Sequence, residues 1–179
     1  SVSAPAGVAQ DLAPNGNLVS NTLSVTYDNT SPTVVVSTTA SNPTNASPFS
    51  VTFTFNEAVT GFVVGDITVV NGTAGNFTAV SSTVYTASIT PTANGVVSVS
   101  AAAGVAQDAA TNNNLASNTL SVTYDNTSPT VVVSTTATSP TRTSPIPVTF
   151  TFSEAVTGLV VGDIIVVNGT AGNFVAVSS

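Results

Sequence analysis

The sequence predicts an all-β protein made of tandem β-sandwich domains, and three observations carry that prediction. Residues 1–82 return as residues 98–179 at a fixed offset of 97 residues, without a gap, and 67 of the 82 aligned pairs are identical. A period this long is a whole domain, since solenoid repeats run to roughly 20–50 residues. Short runs rich in Val, Thr, Phe and Ile alternate apolar with polar residues between Gly, Pro and Asn turns, which is the pattern of half-buried antiparallel strands. No stretch sustains the 3.6-residue apolar period of a helix.

The strands follow in order. The Val-rich run Thr33–Thr39 opens the unit. Ser50–Asn56 comes next, with Val51, Phe53 and Phe55 on one face and Thr52 and Thr54 on the other. Asp66–Val70 and Asn76–Val80 are read as two strands with an Asn71-Gly72 turn between them. Thr83–Thr90 places Tyr85, Ala87 and Ile89 inward, and Pro91 to Gly95 turns the chain. Val96–Ala101 and Asn118–Asp125 complete the set, the last with Leu120, Val122 and Tyr124 on one face. Seven short strands in one 97-residue period is the count of a seven-stranded immunoglobulin-like β-sandwich. The Cys…Trp…Cys signature of antibody domains is absent.

The Asp-Asn-Thr-Ser-Pro stretches at Asp28–Pro32 and Asp125–Pro129 suit short, stiff linkers. Phased on them, residues 29–125 form one complete domain. Residues 1–28 are then expected to be the last two strands of a preceding domain, and residues 126–179 the first four strands of a following one. Residue 1 falls inside a repeat, so a longer array is expected. The competing reading is that fragments of neighbouring copies pair head to tail into a filament. Against it, the two fragments together lack the equivalent of residues 83–97, and a sandwich short of a strand leaves unpaired edges.

Composition narrows the function. Hydrophobic residues make up 42%, enough for a core, whereas one Lys or Arg, eight Asp or Glu and no His leave a net charge of −7. The basic footprint needed to bind nucleic acid is missing, and the same deficit argues against attraction to anionic lipid. No apolar run approaches the roughly 18 residues needed to span a bilayer, so no membrane insertion is expected in this segment. Without Cys there is no disulfide framework, and Ser, Thr and Asn carry solubility. A surface of hydroxyls and amides that lacks Lys offers little to trypsin-like proteases, which fits an extracellular setting. Catalysis has no base to activate Ser or Thr, because His and Lys are both absent.

The acids are the remaining clue. All eight fall on repeated positions, Asp11/Asp108, Asp28/Asp125, Glu57/Glu154 and Asp66/Asp163, and the only base, Arg142, matches Asn45. In a seven-stranded sandwich the second-to-third and sixth-to-seventh strand loops lie at one end beside the incoming linker. Asp28, Glu57, Asp66 and Asp108 are thus expected at the junction, with Asn112 and Asn114 as neutral oxygen donors. Asp125, Glu154 and Asp163 repeat the set at the next junction. Calcium takes roughly 6–8 oxygen ligands from such groups, whereas zinc and copper prefer His and Cys. Two readings stand: a bound Ca2+ that stiffens the hinge, or solvated acids and loop residues that cap their own turns.

The stretches VTFTFNEAVTGFVVGDITVVNGTAGNFTAV at Val51–Val80 and GVAQDAATNNNLASNTLSVTYD at Gly104–Asp125, with the Ser-Pro-Thr-Val start, resemble bacterial Ig-like repeat domains. The resemblance covers the complete domain and both fragments. It implies a large secreted or surface-anchored bacterial protein, adhesins among them, in which repeats act as stalk, spacer or fibre. It also implies Asp-rich loops that bind calcium. Relatives often carry Gly in an Asp-Ala-Ala-Gly-Asn loop, where this sequence has Thr111.

The leading expectation is a structural segment of an extracellular bacterial fibre or adhesin stalk whose partners are neighbouring repeats. Two alternatives remain. The repeats bind carbohydrate or a neighbouring cell, with Phe62 and Phe77 as candidate exposed aromatics, or copies self-associate into a filament or sheath.

Overall fold

The computed structural model describes residues 1–177 and divides into two compact units, Ser1–Asp125 and Asn126–Ser179. Within the first unit the strands are β1 (Val34–Ser37), β2 (Phe49–Phe55), β3 (Ile67–Val70), β4 (Gly72–Ala79), β5 (Val84–Pro91), β6 (Gly95–Ala101) and β7 (Leu120–Tyr124). They form two antiparallel sheets, one in the order β1-β2-β5-β4 and the other β3-β6-β7. This four-plus-three arrangement is that of an immunoglobulin-like constant-type sandwich.

Period-two alternation decides which side chains face between the sheets. Val51, Phe53 and Phe55 of β2 are buried, as are Tyr85, Ala87 and Ile89 of β5, and Val97 and Val99 of β6 and Val122 of β7 close the other side. Phe62 is 4% exposed and Phe77 half-buried against the core, so neither offers an exposed platform for a sugar ring. Phe62 sits at the centre of an aromatic group, with ring centroids 5.3–5.7 Å from Phe53, Phe55, Phe77 and Tyr85. Such edge-to-face contacts add about 0.5–1.5 kcal/mol per pair beyond area burial. The Tyr85 hydroxyl donates to the Val59 carbonyl at 3.0 Å, so the one polar tip in this group is satisfied.

Two local details differ from the alternation. β4 begins at Gly72 rather than Asn76, because Asn71 alone, at φ 58°, turns the chain from β3 into β4. A register shift between Gly75 and Thr78, with Asn76 at φ 46°, is a bulge that breaks the period of two and hides the first half of the strand. At the start of β4 the sheets pack closely on Gly72, where a Cβ would lie 3.0 Å from the Thr90 carbonyl oxygen. Asp66 does not start β3. It ends a single 3-10 turn, Val64–Asp66, and its Oδ2 accepts the Val63 N–H at 2.8 Å.

Residues 1–28 repeat the local pairing of 98–125, with a Val2–Leu23 bridge that matches Val99–Leu120. Leu23, Val25 and Tyr27 are exposed there. In the second unit β8 (Val131–Ser134) pairs with β9 (Thr149–Phe152) in the register of β1 with β2. A 3-10 turn follows at Val161–Asp163, where Asp163 accepts the Val160 N–H at 2.9 Å as Asp66 accepts that of Val63. Phe150, Phe152, Leu159, Val166 and Phe174 line an open groove of this unit.

Candidate functional site

The loop between β6 and β7 is built around Asp108. Its Oδ1 accepts the backbone N–H groups of Ala110 at 2.8 Å and Asn112 at 2.9 Å, and its Oδ2 accepts Asn112 Nδ2 at 2.9 Å. The carboxylate replaces the backbone acceptors that a loop cannot supply, so Asp108 is only 6% exposed yet satisfied. These bonds, the Asn112 side-chain amide foremost, hold its pKa below the ordinary carboxylate value against the opposing pull of burial. Asn114 fastens the same loop from inside. It is 1% exposed, its Oδ1 accepts Val105 and Ala106 N–H, and its Nδ2 donates to the Ala102 and Leu115 carbonyls.

Three segments meet beside this loop. Carboxylate oxygens of Asp28 on the linker, Glu57 after β2 and Asp108 lie within 4.8 Å of one another. Asp28 is exposed and Glu57 half-buried. Asn112 ties two of the segments together, since its Nδ2 also reaches the Asp28 backbone carbonyl at 3.3 Å. Asp28 Oδ1 accepts the Thr30 N–H at 2.9 Å, while Glu57 joins no hydrogen bond of the described network. Three like charges held this close repel one another, and a dication between them would turn that repulsion into attraction.

The other expected ligands stand elsewhere. Asp66 is outside the cluster, because its carboxylate caps its own 3-10 turn. Asn114 is corrected from oxygen donor to loop anchor: both lone pairs of its Oδ1 already accept backbone N–H groups. Asn112 likewise turns its amide nitrogen, and not its oxygen, toward Asp108. Asp125 accepts Asn94 Nδ2 at 3.0 Å in the first unit, Asp163 caps its turn, and Glu154 is an exposed residue of the second unit. The sequence reading missed Asn112 as the tie between linker and loop. The Asp-x-x-x-Asn spacing, present also at Asp11 and Asn15, was the available signal.

Thr111 confirms that the loop asks for glycine at its position: the residue adopts φ 68°, in the left-handed region. Its neighbours compensate, because Thr111 N–H still reaches the Asp108 carbonyl at 3.2 Å.

Among the described residues no helix is long and apolar enough to cross a membrane. Neither a curated protein nor a solved structure matches this chain. The bacterial Ig-like domain family matches it twice in succession, over residues 28–124 and 125–179, meeting at the linker that the repeat phasing marks. With its two sheets in immunoglobulin order and nearly all of its length after residue 27 matched, the chain belongs to the bacterial Ig-like domain family.

Proposed function

We propose that this chain is a structural segment of an extracellular bacterial surface protein of the fibre or adhesin-stalk type, in which serial repeats supply reach and stiffness. The observation that carries this reading is the direct abutment of the two family matches at residues 124 and 125, with no spacer between them. The linker that follows is short, polar and ends in Pro129, which restricts its backbone. Strands of up to eight residues at about 3.3 Å per residue, with loops at both ends, give each repeat a length of about 40 Å. Small-angle scattering from this chain and from a chain lengthened by one 97-residue repeat tests the reading. The maximum dimension should grow by about 40 Å per added repeat. Growth well short of that would mean a folded-back array and would overturn it.

The finer part of the reading concerns Asp28, Glu57 and Asp108. These residues fit a hard cation: all three are carboxylates, and Asp108 Oδ2 accepts only one hydrogen bond, which leaves it a free lone pair. Glu57 has an uncommitted side chain, and Asp28 places the linker itself in the cluster. Ca2+ held there would tie the linker to two loops and convert repulsion into a clamp. The melting temperature should rise in millimolar calcium relative to EGTA, since a ligand of the folded state stabilises by mass action. Glu57→Gln should abolish that rise. An identical melting temperature in both buffers removes calcium from the reading and leaves the spacer role standing.

A further inference from the structure

Asn15 and Asn112 occupy equivalent cages in the two repeats. Each donates its backbone N–H to the Oδ1 of the Asp four residues earlier at 2.9 Å, and its side-chain nitrogen to the Oδ2 at 2.9 Å. The residue that follows differs, Gly16 in one case and Asn113 in the other. Glycine has no Cβ, so its backbone nitrogen can approach the preceding side chain. Asn113 is also occupied, since its Oδ1 accepts Gln107 Nε2 at 2.9 Å. The surroundings differ as well. Residues 1–16 are exposed throughout, whereas Asn112 is half-buried and sits in the complete domain.

We propose that Asn15 is a site of spontaneous hydrolytic deamidation. The Gly16 backbone nitrogen attacks Asn15 Cγ and forms a five-membered succinimide. The Cγ–Nδ2 bond breaks, and ammonia leaves with the proton from Gly16. Solvent water then opens the ring at either carbonyl, giving aspartate or isoaspartate, so that water is consumed and ammonia released with no other reactant. The product places a second carboxylate against Asp11 Oδ2, where the donor had been, and so opens the turn that Asp11 holds through Ala13 and Asn15.

The chain carries its own controls. Asn71-Gly72 has the same dipeptide, but its Gly72 is held in β4 opposite Pro91 of β5, and the Asn71 amide bonds the Ala93 and Val96 carbonyls at 2.9 and 3.4 Å. Asn112 has the same cage without the glycine. The full chain is incubated in mildly alkaline buffer and mapped by peptide mass spectrometry, with isoaspartate detected enzymatically and amide exchange followed at Ala13 and Asn15. Asn15 should convert several-fold faster than either control, and its turn should lose protection in step. Gly16→Asn should stop the conversion. A Cβ at position 16 would lie 3.2 Å from Gly7 Cα, but the equivalent loop carries Asn113 and keeps the same backbone bond, Gly104 N–H to the Asn114 carbonyl as Gly7 N–H to that of Asn17, so the loop accommodates the side chain. Conversion of Asn15 no faster than Asn112, or slower than Asn71, would overturn the proposal.

Discussion

At the scale of single residues, the Asp108 loop separates what a carboxylate does for its own backbone from what it offers to a ligand. Asp11 makes the same three bonds in a segment where no Glu57 or Asp28 equivalent is present, so the cage is a local device. Its pKa is lowered for the same first cause, the side-chain amide of Asn15. The sign for stability follows. A carboxylate whose folded pKa lies below its unfolded value stabilises fully above the unfolded pKa, and that contribution is lost as pH falls through the folded value. Thermal melts across the acid range should show this loss, and Asp108→Asn should flatten the part of it that belongs to this loop. Thr111, a β-branched residue at φ 68°, holds strain of order 1–3 kcal/mol. Thr111→Gly is expected to stabilise the domain by about 1 kcal/mol in denaturant titration, part of the relief being offset by the greater freedom of glycine in the unfolded chain. An unchanged or lowered midpoint would place the strain elsewhere.

At the scale of elements, the sheets depend on how their edges are closed. Asn118 acts as a piece of backbone for β1: its Oδ1 accepts the Val36 N–H at 2.8 Å, and its Nδ2 donates to the Val36 carbonyl at 3.0 Å. That pair ties the edge of one sheet to the chain entering β7 of the other. Asn118→Ala leaves a part-buried donor and acceptor unpaired, and should cost about 1–3 kcal/mol in chemical unfolding. The free edge of β7 is covered in a similar way, since Asn42 Oδ1 accepts Thr123 N–H and the Thr44 backbone bonds to Thr123 and Asp125. Phe53, fully buried on β2 between β1 and β5, tests the core instead. Phe53→Ala should destabilise by about 3–5 kcal/mol, from lost burial and from the cavity left behind. The alternation of β2 and β5 was readable because every second residue is apolar. β4 was half-hidden, because the bulge at Gly75–Thr78 shifts the inward set partway along the strand.

At the scale of the whole molecule, burial follows how much of the 97-residue period each stretch holds, a full one in 29–125 and only part of one in 1–28 and 126–177. β2, β5 and β6 bury their inward side chains almost fully, whereas β8 is exposed at every residue and Leu23, Val25 and Tyr27 lie open. Hydrogen exchange should therefore find the slowest amides in β2, β5 and β6, with fast exchange through residues 1–27 and 126–177. Equal protection in all three stretches would contradict the burial pattern. Sequence periodicity by itself determined the fold class and the inward faces of β2 and β5, because side-chain alternation and turn chemistry act over a few residues and leave a direct trace. It also singled out the acids as the chemistry worth locating. Which acids meet was decided only by tertiary structure. Asp28, Glu57 and Asp108 are far apart in the chain and converge because three loops end at one pole of the sandwich, while Asp66 and Asn114 spend their oxygens on nearby backbone N–H groups that no spacing rule distinguishes from ligand sites.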